Sequence, residues 1–149
     1  MLFNRSRAID VMEKEGVDGV VGTCIENISY FTNYFARPLR GVKTTQYYTV
    51  FSRHFPDRKA LVLPSIRLPG YIADGFDVGE VYVYGKFSVE RPEGTSDDLF
   101  AKKLAEGLRV DGRYENAFEA LTAAMKDLRL LGGRPPSTNS IVRQRSGKG

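Results

Sequence analysis

The side chains best suited to chemistry are few in this sequence, and they stand apart. The single histidine, His54, falls beside the turn-forming run Phe55-Pro-Asp-Arg58, with no carboxylate motif next to it. Metal catalysis needs several nitrogen or carboxylate ligands converging on one point, so an isolated imidazole reads as a surface or packing residue. No Gly-x-Ser-x-Gly elbow accompanies it, and a Ser-His-acid site therefore has no local support. The one cysteine, Cys24, excludes an internal disulfide or a site built from several thiolates. Its expected role is that of a small buried apolar residue. Ser146-Gly-Lys-Gly149 has the composition of a phosphate loop, but no helix follows to present its amino terminus to a phosphate.

Composition sets the scale on which those residues must be positioned. With 149 residues, 42% of them hydrophobic and 27% charged, the chain fits one globular domain with its own core. No run approaches the roughly 20 apolar residues that cross a bilayer, and the start of the chain turns polar too soon for a signal peptide. A cytoplasmic protein with no membrane partner is expected. The net charge of +4 is local to one end: from Leu128 onward there are five basic residues and no acid, leaving 17 basic and 18 acidic side chains in the other 127 residues. Five cations without interleaved aromatics make a weak nucleic-acid footprint, which argues against such a partner.

Asn4 is placed to cap a first helix carrying Ile9, Val11 and Met12 and stopping at Gly16. Asp18 to Thr23 follows as a buried strand. The spacing Thr23-Cys-Ile-Glu26 predicts a capping box on a second helix, with Ile25, Ile28 and Phe31 facing inward. Tyr47–Ser52 and Lys59–Leu63 read as strands of a hairpin, the second stopped by Pro64. Pro69 suits the first turn of a short helix through Ala73. Val78 to Phe87 is a further strand, with Val81 and Val83 on one face and Tyr82 and Tyr84 on the other, so both faces need cover.

Two more helices are expected to close the domain. One is capped by Thr95 and Asp98 and bears Leu99, Phe100, Leu104 and Leu108; the other repeats Tyr114, Phe118, Leu121, Met125 and Leu128 as a buried stripe. Periodicity ends at Gly132. The sequence thus divides into a domain over 1–131 and a flexible basic tail over 132–149.

The run Gly16-Val-Asp-Gly-Val-Val-Gly-Thr23, followed by Glu26-Asn-Ile-Ser-Tyr-Phe-Thr-Asn-Tyr34, resembles the amino-terminal domain of the creatinase and prolidase family, the Xaa-Pro dipeptidases and aminopeptidases. That family reads Asn-aliphatic-x-Tyr-Leu/Phe-Thr/Ser-Gly in the second helix. Asn33 stands here for the final glycine, and both tolerate positive φ. The resemblance covers roughly residues 4 to 131 and implies an α/β fold: three α/β/α layers around a mixed sheet with a ribonuclease-H-like motif. It also implies a separate pita-bread catalytic domain, absent from this sequence, which in the peptidases holds two divalent metals. No cofactor is therefore expected in this chain, and alone it is expected to be inactive.

The same resemblance singles out the loop from Asn33 to Lys43. In creatinase-like relatives an aromatic and an arginine beyond this helix reach a neighbouring subunit's substrate pocket, and Phe35 with Arg37 or Arg40 lies in that stretch. An arginine fork binds a carboxylate in bidentate fashion, which suits a peptide-like or guanidino-acid ligand. A homodimer is implied as well. Asn27 and Tyr30 carry the motif in a structural capacity, Asn27 bonding nearby backbone and Tyr30 packing with its hydroxyl bonded. Asn27-Ile-Ser29 also matches a glycosylation sequon, without consequence in a cytoplasmic protein.

Overall fold

A computed structural model of the chain describes residues 3–35, 46–74, 78–86 and 113–131. The helix expected between Thr95 and Leu108 and the tail over 132–149 lie outside the described residues, as do Arg37 and Arg40.

Helix α1, Arg5–Glu15, begins where Asn4 Oδ1 accepts the Arg7 N–H at 3.0 Å and ends on left-handed Gly16. Strand β1 is Gly19–Gly22 and helix α2 is Ile25–Thr32. Thr23 is not the cap expected of it: Cys24 occupies the cap position, and its side chain makes no capping bond. The cysteine is consequently exposed rather than buried, a correction to the sequence reading. Asn33 closes α2 with φ 60°, and its N–H reaches Ser29 O at 2.8 Å.

Strands β2, Tyr48–Ser52, and β3, Lys59–Pro64, pair antiparallel as the expected hairpin, and β2 also pairs antiparallel with β1. A single turn of 3-10 helix, Ser65–Arg67, leads into α3, Leu68–Ala73, with proline in its first turn. Strand β4, Glu80–Tyr84, then runs parallel to β3, and the two-residue strand β5, Arg113–Tyr114, runs parallel to β4. The result is a mixed sheet in the order β1-β2-β3-β4-β5, an α/β fold.

Strand alternation sends side chains to two sheet faces, and each face has its own cover. Val21, Tyr48, Val50, Ala60, Val62 and Tyr82 meet helix α4, Ala117–Asp127. Leu61, Leu63 and Val83 on the opposite face meet Ile28 of α2 and Leu68 and Tyr71 of α3. Phe51 on that same face packs with Phe3, Met12 and Phe31 near α1.

Two expectations for the helices are corrected. Val11 of α1 is 52% exposed, because the helix rests on Met12. Helix α4 starts later than the stripe drawn from Tyr114 supposed: Asn116 caps it by accepting the Glu119 N–H at 3.0 Å, and Glu119 bonds back to the Glu115 N–H. Tyr114 is left in β5. The buried stripe then becomes Ala117, Ala120, Leu121, Ala124, Met125 and Leu128, while Phe118 points outward at 56% exposed. Alanines let the helix approach a sheet face that already presents two tyrosine rings.

Candidate functional site

The left-handed turn at Asn33 decides what happens to the residues after α2. It folds Tyr34 inward, where the Tyr34 N–H donates to Thr32 Oγ1 at 3.1 Å, and the Thr32 hydroxyl donates in turn to Ile28 O at 2.6 Å. Phe35 is turned outward and is 42% exposed. Tyr34 meets Tyr71 of α3 edge to face, with ring centroids 5.4 Å apart, and Tyr71 Oη accepts the Val78 N–H at 3.1 Å. Tyr47, one residue before β2, joins the same cluster at 1% exposed. Arg67 ends the 3-10 turn, directly before Leu68 of the same cluster.

Two polar atoms in this aromatic nest, Tyr47 Oη and Arg67 Nε, are buried with no hydrogen-bond partner among the described residues; Ser29 Oγ on α2 shares that condition. Burial raises the pKa of Tyr47 and of Tyr34 above the ordinary phenol value. The Asp74 carboxylate pushes Tyr34 the same way, and the Arg67 charge opposes the shift at both phenols. Both hydroxyls therefore stay protonated near neutrality and act as donors. The nest can bind an acceptor through neutral donors and one guanidinium.

Two other polar groupings are internally matched. Arg53 Nε and Nη2 donate to Asp18 Oδ1 at 2.8 and 2.6 Å, and His54 Nε2 lies 3.4 Å from the same oxygen. These contacts tie the β2–β3 turn to the entry of β1, and they supply the carboxylate neighbour that the sequence around His54 did not reveal. On the other sheet face Tyr82 Oη donates to Asp127 Oδ2 at 2.8 Å, while Arg58 grips Glu80 and reaches Asp127 O at 3.3 Å. The Arg58 and Arg129 guanidinium groups sit 4.9 and 5.3 Å from the centre of the Phe55 ring. That set clamps the hairpin turn and β4 to the end of α4.

Of the motif residues, Tyr30 meets Phe3 edge to face at 5.5 Å, and its Oη lies 3.5 Å from the Asn4 N–H. Asn27 sits against β1: a Cβ added at Gly22 would lie 2.9 Å from Asn27 Cβ. Sequence reasoning did not pick out Tyr34, Tyr47, Arg67 and Tyr71 as a set. They are spread over three segments, and each taken alone is an ordinary core or surface residue. Among the described residues no three His, Cys, Asp or Glu side chains are grouped to hold a metal ion, and no helix is long and apolar enough to cross a membrane.

No family model and no curated protein matches the chain. Among solved structures, the aminopeptidase P, an Xaa-Pro aminopeptidase, from Streptococcus thermophilus is similar at 15% identity, over 84% of this chain and 95% of that one, with a TM-score of 0.33. That likeness is weak, so the functional reading rests on the motif residues and the geometry.

Proposed function

We propose that the chain is a non-catalytic domain of the kind found at the amino terminus of Xaa-Pro dipeptidases and creatinases, a three-layer α/β/α unit with a ribonuclease-H-like motif. Its role in this reading is to mediate contacts in a homodimer and to border a substrate pocket that another domain supplies. The observation that carries the reading is the motif segment itself. Helix α1 stops on left-handed Gly16, β1 follows, and α2 stops on left-handed Asn33, the order and the stop that the resemblance implies. Asn33 replaces the family's glycine without losing the conformation that glycine serves.

The pocket-facing residues in this proposal are Phe35, Arg37 and Arg40, with a peptide-like or guanidino acid as the ligand. Divalent metals would belong to the separate catalytic domain, and the protein would work in the cytoplasm. Light scattering on the purified chain should return a dimer mass. A calorimetric screen of dipeptides and guanidino acids should give heats that vanish in an Arg37→Ala/Arg40→Ala double variant. A monomer with equal heats in both proteins would remove this role.

A second reading, a stand-alone small-molecule or protein-binding module, is favoured by one observation: the buried donors of Tyr47 and Arg67 belong to this chain and need no second domain.

A further inference from the structure

A buried donor without an acceptor costs about 1–3 kcal/mol, so native structures rarely leave one orphaned. Two such groups stand on segments that meet in one cluster, Tyr47 within it and Arg67 next to its member Leu68. The Tyr47 hydroxyl sits at the entry to β2 and the Arg67 Nε–H at the entry to α3; both are buried and unpartnered among the described residues. Tyr34, Tyr47, Leu68 and Tyr71 share one packed cluster, which places the Arg67–Leu68 step beside the three phenol rings. The charge of Arg67 is felt at both Tyr34 and Tyr47.

We propose that Tyr47 and Arg67 form a binding site for a small monocarboxylate, whose oxygens accept the Tyr47 O–H and the Arg67 Nε–H. Several features select this class. The Arg67 Nε–H can only donate and the Tyr47 hydroxyl can donate as well as accept, so a single acceptor group satisfies both. A guanidinium favours a carboxylate through charge-assisted hydrogen bonds, and one positive charge balances one negative charge. The Asp74 carboxylate, whose field reaches Tyr34, works against a dianion such as phosphate. The proposal deepens the binding-module reading. It does not depend on the family resemblance, and the oligomeric state of the chain does not bear on it.

The test is a titration of the full chain with sodium acetate, following the Arg67 Nε–H resonance by nitrogen-15 NMR at ionic strength held constant with chloride. The expected result is a saturable shift of that resonance, absent with chloride alone. Tyr47→Phe keeps the ring and removes only the hydroxyl, and it should weaken acetate binding about tenfold or more, the value of one hydrogen bond to a charged group. Arg67→Gln should abolish the saturable response of the remaining amide resonances. A response linear in acetate, equal affinity in Tyr47→Phe, or tighter binding of inorganic phosphate than of acetate would each overturn the proposal.

Discussion

Gly22 lies where β1 passes under α2, and replacing it with alanine should wedge the two apart. A Cβ built there would stand 2.7 Å from Thr49 Cγ2 and 2.9 Å from Asn27 Cβ. Asn27 Cβ is fixed to the backbone of α2, so relief on that side requires moving the helix itself. Thr49 cannot simply swing away, because its hydroxyl donates to Ala60 O at 3.1 Å in the buried hairpin. Overpacking of this kind costs about 1–3 kcal/mol. For a chain of this size that corresponds to a melting-temperature loss of roughly 2 to 12 °C. Gly70 is the internal control: it lies within α3 with nothing within 4 Å of an added Cβ. Gly70→Ala should therefore be neutral or stabilise by up to about 1 kcal/mol. A Gly22→Ala/Thr49→Ser double variant removes the Thr49 methyl but leaves Asn27 in place, and it should recover only part of the loss. Urea unfolding of the four proteins gives the comparison. If Gly22→Ala were as stable as Gly70→Ala, the close approach of β1 to α2 at the motif asparagine would be refuted.

Three further outcomes follow from the packing and the buried phenols. Met125→Ala should cost about 2–5 kcal/mol, because the side chain is 1% exposed, whereas Phe118→Ala should stay within about 0.5 kcal/mol; comparable large losses at both positions in urea would restore the stripe drawn from sequence. Cys24 is exposed, so a thiol reagent should titrate it fully in the native protein, and a requirement for denaturant would contradict the Cys24 cap position. Burial raises the pKa of Tyr34, Tyr47, Tyr48, Tyr82, Tyr84 and Tyr114 above the unfolded value near 10, so above about pH 10 the unfolded chain loses phenol protons that the folded chain retains. Stability is then complete below that pH and falls as pH rises, with each fully retained proton adding about 1.4 kcal/mol per pH unit to the slope. Lys59, whose pKa burial lowers, works in the opposite direction as a single group against six. Urea midpoints between pH 9 and 11.5 should fall, and less steeply in Tyr82→Phe; a flat profile would contradict the burial of these rings.

Much of the fold was legible because the signals were local. Asn4 acts through its side chain on the turn that follows it, Gly16, Asn33 and Pro69 act through their own backbone, and the alternation in β4 requires cover on both faces whatever provides it. Failures arose where one local pattern competed with another. Thr23-x-x-Glu26 and Asn116-x-x-Glu119 both have cap spacing, but only Asn116 takes the cap position, its Oδ1 accepting the Glu119 N–H, and α2 starts one residue later than a Thr23 cap would require. The stripe through Phe118 matched helical periodicity because its spacing of four and three holds for any register, and only the true start at Ala117 selects the alanine face. The candidate site was not legible for a different reason. Tyr47 and Arg67 are twenty positions apart, and what distinguishes them is the lack of an acceptor, which no sequence pattern encodes.

The non-catalytic reading is tested most directly by incubating the purified chain with Xaa-Pro dipeptides in the presence of manganese or cobalt, with circular dichroism to verify the fold. Proline release at the level of the metal-only blank is the predicted result. Metal-dependent release by the folded chain would contradict it.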